Sequence, residues 1–208
     1  MATAVYVDGF NLYYGALRAP GRKWLDLNEF CRKLLPKNDV QLIRYFTAKV
    51  NGATDAGAPQ RQDVYLRALR TISHLEIHLG QFTTRNVWMP LANPPTSGPR
   101  KACVVKTEEK GTDVNLASHL LNDAFQGRFD TAVIISNDSD LAEPVTLARY
   151  ELGRTVGVIN PHPVNRKSVR LSQDASFFKQ IRAGVVESSQ FPNPMSDATG
   201  RFTKPSSW

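Results

Sequence analysis

Short apolar runs, separated by stretches with helical periodicity, constrain this chain more than any other feature. Ala4 to Val7, Thr131 to Ser136 and Thr155 to Ile159 are too short for stable helices and carry little polar alternation. Such runs fit strands buried on both faces. Between them, Asn11 to Arg18, Asp26 to Leu35, Gln60 to Ile72, Thr112 to Phe125 and Leu141 to Leu152 read as helices. Pro36 ends the second of these, and Pro144 is tolerable in the first turn of the last. Val40 to Val50, Leu75 to Thr83 and Ala102 to Lys106 add strands, with Asn86 to Met89 extending or pairing with the middle one. Thr155 to Ile159 is the last clear strand. This alternation predicts an α/β domain with three α/β/α layers and a mainly parallel central sheet.

Met89 to Arg100 holds four prolines and a glycine, which predicts a surface loop rather than a domain boundary. Residues 1–186 are expected to form one domain. The polar, Pro/Ser-rich tail 187–208 has a disordered composition, but Phe191, Met195, Phe202 and Trp208 suggest that it docks on that domain.

Four aspartates fall at the junctions of this pattern. Asp8 and the pair Asp138 and Asp140 follow apolar runs, and Asp113 lies at the start of a helix. Each has an ordinary explanation: Asp8 as a turn former before Gly9, Thr112 as the N-cap with Asp113 in the first turn, Asp138 as an N-cap with Asp140 behind it. Asp113 is harder to dismiss. Ala117, Leu120 and Ala124 continue its line at helical spacing, so it is expected on the core-facing stripe, where an unpaired charge is costly without a cation. Carboxylates at strand ends of an α/β fold can converge, and several together call for a hard cation such as Mg²⁺ or Mn²⁺.

The chain around these acids is basic. Its 208 residues carry 26 Lys and Arg against 19 Asp and Glu, a net charge of +7, which favours a polyanionic partner. Arg61, Arg67 and Arg70, with Arg166, Lys167 and Arg170, are candidate nucleic-acid contacts. Phe10, Tyr13 and Tyr14 could stack single-stranded bases, although burying a helix face is the commoner use of such residues. Two cysteines make no disulfide framework, no apolar run spans a bilayer, and the opening residues enter a strand without a signal-like segment. A cytoplasmic protein without a membrane partner is expected; homo-oligomerisation stays open. The four histidines show no zinc spacing, and neither a P-loop nor Gly-x-Gly-x-x-Gly nor Gly-x-Ser-x-Gly is present.

Val-Asp-Gly-Phe-Asn-Leu-Tyr, Glu-Glu-Lys-Gly-Thr-Asp-Val-Asn-Leu-Ala and Ile-Ser-Asn-Asp-Ser-Asp-Leu, in that order, resemble the NYN domain, a LabA-like group of the PIN-like nuclease superfamily. The likeness runs from Val5 to about Ile181, and the closing Lys-Pro-Ser-Ser-Trp resembles the end of some bacterial members. It implies a Rossmann-like (PIN-like) sheet with an acidic pocket at the strand carboxyl ends that binds Mg²⁺ or Mn²⁺ and cleaves RNA. The family's motif acids correspond to Asp8, Asp113, Asp138 and Asp140, and its first-motif asparagine to Asn11. The expected function is a metal-dependent ribonuclease. Asn11, Ser136 and Asn137 are expected to orient ligands or phosphate, and Lys110 to neutralise the scissile phosphate. The alternatives are a non-catalytic RNA-binding or regulatory module that kept the pocket, and a small-molecule enzyme on the same scaffold. A haloacid-dehalogenase-like phosphatase is disfavoured, because the first strand ends in Asp8-Gly9-Phe10 rather than Asp-x-Asp.

Overall fold

The computed structural model describes residues 1–52 and 55–208. Strand β1 (Ala2–Asp8) is followed by α1 (Gly9–Leu12), which continues as a π-helical turn over Tyr13–Leu17. Then come α2 (Leu27–Leu34), β2 (Asp39–Ala48), α3 (Ala58–Leu69), β3 (Leu75–Pro90), β4 (Lys101–Lys110) and α4 (Thr112–Phe125). The second half holds β5 (Thr131–Ile135), α5 (Ala142–Thr146), β6 (Thr155–Asn160), α6 (Val169–Asp174), β7 (Phe177–Gln180) and α7 (Ala183–Glu187), and ends in the hairpin of β8 (Met195–Asp197) and β9 (Gly200–Phe202).

Seven strands form one sheet in the order β4-β3-β2-β1-β5-β6-β7, and within it only β3 and β4 run antiparallel. The first strand therefore lies in the middle. From it the chain winds outward through β2 and β3 on one side, then returns to wind through β5, β6 and β7 on the other. The winding reverses between β1 and β5, and the crevice at the carboxyl ends of such a pair is the usual ligand position in an open α/β sheet.

Alternate residues of the central strands feed two cores, as the period of a strand requires. Val5, Val7, Ile43, Val133 and Ile135 pack under α1, α2, α3 and α7, through Leu12, Phe30, Leu66 and Val186. Ala4, Tyr6, Phe46, Ile134 and Val158 pack under α4, α5 and α6, through Leu116, Leu120, Val145 and Leu171. Each such fully buried aliphatic or Phe side chain contributes roughly 1.5–3 kcal/mol relative to exposure. Local chemistry sets the helix starts. The Asp26 carboxylate accepts the N–H groups of Asn28 and Glu29 at 2.9 and 3.1 Å to begin α2, and Pro59 lies in the first turn of α3. Among the described residues no helix is long and apolar enough to cross a membrane.

Three expectations change. Met89 and Pro90 lie in β3, not in the proline-rich loop, because antiparallel pairing from Gln81–Lys110 out to Pro90–Lys101 carries both strands far beyond the sheet body. Thr155–Ile159 is not the last strand: β7 pairs parallel with β6, although its four residues are too few to declare a period. Leu141–Leu152 is one α-helical turn between a 3₁₀ turn at Ser139–Leu141 and a π-helical turn at Leu147–Glu151.

The tail lies across the α2/α3 face. Phe191 and Phe202 are buried, and both meet Trp24 edge-on with ring centroids 5.8 and 6.4 Å away. Arg67 of α3 forks onto Asp197 with two 2.7 Å hydrogen bonds and lies 4.2 Å from the centre of the Phe202 ring.

Candidate active site

Asp8 ends β1 and caps α1, its Oδ1 accepting the Asn11 N–H at 2.9 Å. Gly9 follows because the ring of Tyr45 and the carbonyl of Phe46 approach so closely that a Cβ would sit 2.7 Å from both. The adjacent strand contributes next. The Ser136 hydroxyl, just beyond β5, donates to Asp8 Oδ2 at 2.9 Å and accepts the Asp138 N–H at 3.1 Å. Asp138 caps the 3₁₀ turn by accepting the Asp140 N–H at 3.0 Å. Asn11 Oδ1 accepts the Asn137 N–H at 3.0 Å. These bonds lock the first and third motifs together across the crevice, and they give Asn11 and Ser136 positioning tasks within the protein.

Asn137 ties the next loop to the same spot. Its Nδ2 donates to the Arg166 carbonyl at 2.8 Å, and its Oδ1 accepts the Ser168 N–H at 2.7 Å. Arg166, Lys167 and Arg170 are therefore held beside the third motif, all exposed, with Arg170 3.6 Å from Glu143.

Asp113 arrives from α4. Gly111, at φ 97°, turns the chain out of β4 and stands at the N-cap position, not Thr112. Thr112 is instead gripped by Glu109, whose carboxylate accepts its N–H at 3.0 Å and its hydroxyl at 2.5 Å. The buried line of α4 also differs from expectation, running through Thr112, Leu116, Leu120, Asp123 and Ala124. Asp113 and Ala117 sit at its edge, half-buried. Glu109 holds Thr112 through its two bonds, and Asp113, the next residue, lies within the field of Asp8, Asp138 and Asp140.

Electrostatics connect these acids. Burial, followed by the charges of Asp8, Asp138, Glu109 and Asp140, raises Asp113 from the usual 3.8 to about 6. Burial also raises Asp8, helped by Asp138 and Glu109 and opposed by the hydrogen bonds from Asn11 and Ser136. Carboxylates from three separated stretches thus lie within one another's field, a charge pattern that a cation would relieve. Hard oxygen donors of this kind fit Mg²⁺ or Mn²⁺ better than a softer metal. Among the described residues, however, no three carboxylate, histidine or cysteine side chains are gathered tightly enough to hold one ion. The donor chemistry fits a divalent ion; the arrangement in this conformation does not form its cage.

Lys110 pairs with Glu108 at 3.3 Å. Arg61 pairs with Asp55, Arg67 is committed to the tail, and exposed Arg70 ends α3, so this trio belongs to the α3 face rather than to the motif junctions. Sequence reasoning missed Glu109, although its place three residues before Thr112 was the signal. It also missed Tyr45, whose ring floors a cleft next to Asp8 and whose hydroxyl burial raises, with a lesser push from Asp8.

A curated relative is 30% identical over 236 residues, covering 100% of this chain and 75% of its own: the 6-hydroxy-3-succinoylpyridine 3-monooxygenase HspA of Pseudomonas putida. A crystal structure of a Vibrio parahaemolyticus protein of unknown function shares the fold at a TM-score of 0.57 and 18% identity, over 87% of this chain and 93% of that one. The NYN domain profile matches residues 2–180, the span that holds every motif acid and the whole seven-stranded sheet. The chain belongs to the NYN domain family, a PIN-like group made up generally of nucleases.

Proposed function

We propose that this protein is a metal-dependent ribonuclease that hydrolyses phosphodiester bonds of RNA at the Asp8, Asp113, Asp138 and Asp140 cluster. The observation that carries the reading is the convergence of these acids at the β1/β5 switch point, where burial first, and then the charges of Asp8, Asp138, Glu109 and Asp140, raise Asp113 to about 6. Asp8 and Asp138 would hold Mg²⁺ or Mn²⁺, with Asp140 and Asp113 completing the set. A bound ion supplies a more acidic attacking water and offsets charge on the phosphate. Asn11 and Ser136 keep Asp8 and Asp138 in register, and Asp113 would complete the set or position the attacking water. Arg166, Lys167 and Arg170, next to the third motif, would contact the RNA backbone; Arg67, Arg70 and Lys110 would add to the general positive field, and Arg61 lines the cleft beside the first motif. A cytoplasmic setting accords with the two free cysteines, Cys31 and Cys103.

Cleavage of single-stranded RNA with Mn²⁺ or Mg²⁺ tests this. Wild type cuts, a chelator stops it, and Asp138→Asn lowers the rate at least about 100-fold. Wild type that binds RNA without cutting it would transfer the site to the regulatory alternative.

The Pseudomonas putida relative favours a second reading, since its name describes a monooxygenase acting on a hydroxylated pyridine. On that reading this chain hydroxylates such a ring, with O₂ and an external reductant as co-reactants. The sequence has no Gly-x-Gly-x-x-Gly for a dinucleotide of its own, which weighs against it. Incubation with 6-hydroxy-3-succinoylpyridine, O₂ and a reduced nicotinamide separates the two, because only a monooxygenase consumes the pyridine.

A further inference from the structure

Beside Asp8, on the α1/α3 side of the sheet, lies a cleft of about 410 Å³. That volume is in the range of small-ligand sites. Its walls are aromatic to an unusual degree. Phe10 and Phe82 close one side, with ring centroids 5.6 Å apart in an edge-to-face pair. Tyr13 and Tyr14, 5.3 Å apart, form the lip, and Tyr14 is 59% exposed although it belongs to the helical turn that follows the first motif. Trp208 closes the far end, 6.0 Å from the Tyr65 ring. Cationic groups stand at the cleft: the Lys23 ammonium lies 6.0 Å from the Trp208 ring centre, and Arg61 shares its charge with Asp55.

Gly9, the residue after Asp8, lines the cleft and brings it next to the first acid, although none of the four aspartates lines it. The absence of a side chain there lets Tyr45 press against the start of α1, so the residue that floors the cleft is also within the field of Asp8.

We propose that this cleft is a base-binding subsite: it takes one nucleobase of single-stranded RNA, stacked on Tyr14 and faced by Phe10 and Trp208, with the adjoining phosphate leading toward Asp8. The proposal rests on the ribonuclease reading and adds to it a requirement for an unpaired nucleotide next to the scissile bond. A nucleobase offers a flat π-face to each aromatic wall, and stacking of this kind tolerates any base. A duplex cannot enter, because its bases are already stacked on one another.

Calorimetric titration in the presence of a chelator, where no RNA is cut, tests the subsite apart from the chemistry. Uridine and adenosine 5′-monophosphates should bind, and ribose 5-phosphate should bind at least about tenfold more weakly for want of the base. Tyr14→Ala, at an exposed position whose ring meets only Tyr13 and the Arg18 guanidinium among the described contacts, should weaken nucleotide binding about tenfold and raise KM for RNA by a similar factor. Equal binding of ribose 5-phosphate, no binding of either nucleotide, or an unchanged Tyr14→Ala would overturn the subsite while leaving the ribonuclease reading to its own assay. Base-dependent binding in a protein that never cuts RNA would uphold the subsite and remove only the ribonuclease reading.

Discussion

Two buried carboxylates in this molecule have opposite surroundings. Asp123, on α4, is 0% exposed and fully partnered: Tyr6 donates its hydroxyl at 2.7 Å, Arg44 its Nε at 2.8 Å, and Arg128 a guanidinium nitrogen at 3.1 Å. Arg44 is in turn paired with Glu76 and hydrogen-bonded to His78. Asp8 is 5% exposed, yet its hydrogen-bond partners among the described residues are a hydroxyl and a backbone N–H, while the charges that act on it are other carboxylates. Burying a charge demands a cation or several donors. Asp123 has both inside the fold; Asp8 has neither in full. A compensated buried acid holds a structure together, whereas an acid buried among like charges is a place where stability has been given up for a ligand.

The largest test of that contrast is Asp123→Ala. It leaves Arg44 buried without its main partner, and the expected cost is about 3–5 kcal/mol in urea denaturation. A loss under about 1 kcal/mol would break the comparison, because Asp123 would then be no structural keystone.

Asp113→Asn should act in the other direction. A carboxyl raised from 3.8 to about 6 in the fold contributes stability that is complete below pH 3.8 and lost as the pH rises through about 6. In a chelator at pH 7.5, Asp113→Asn should therefore be more stable than wild type by about 1–2 kcal/mol, the shift being discounted for the half-exposed side chain. The gain should vanish near pH 4. Adding Mn²⁺ should raise the melting temperature of wild type and narrow the difference; a mutant less stable at pH 7.5 in chelator would place Asp113 with Asp123 instead.

The smallest effect concerns the histidines beside Arg44. The rings of His78 and His119 lie 4.0 Å apart, and His78 Nε2 accepts from Arg44 Nη1 at 3.0 Å, which requires a neutral ring. Burial lowers His78, with further push from His119 and Arg44, against the pull of Glu76. Burial and Arg44 lower His119, with Asp123 and Glu76 opposing. The unfolded chain therefore binds protons first, and stability present above about pH 6.5 is lost as the pH falls through the lower folded values. In the Asp113→Asn background, which removes the opposing titration of that acid, the urea midpoint should be lower at pH 5.5 than at pH 7.5, and the drop should shrink when His119→Gln is added. An equal difference in the variant would show that the acid sensitivity arises elsewhere.

The histidine pair also marks the limit of what the sequence made legible. His119 reads from periodicity as lying off the core stripe, and its half-buried position agrees with that. Nothing in the spacing places it against His78, forty-one positions earlier, because that contact depends on α4 crossing β3. Likewise, Asp123 looks like an ordinary surface acid near a helix end until β2 and β1 bring Arg44 and Tyr6 beneath it. Thr112 and Glu109 teach a similar lesson at short range. The threonine had the chemistry of an N-cap, but the glycine before it supplied the turn and the glutamate reached back to take its donors.

By itself, the sequence determined the class of fold and singled out four candidate acids at its strand–helix junctions. Apolar runs at strand length can be satisfied only between two helical layers, and polar residues at their carboxyl ends are pushed to one edge of the sheet. Tertiary structure decided the rest, because strand order is not written in local periodicity. Placing β1 between β2 and β5 brought Asp8 to Ser136 and opened the crevice, and the fall of α4 across the sheet delivered Asp113 to one end and Asp123 to the other. One helix thus carries a compensated acid and an uncompensated one, and the difference lies in what the neighbouring strands offer to each.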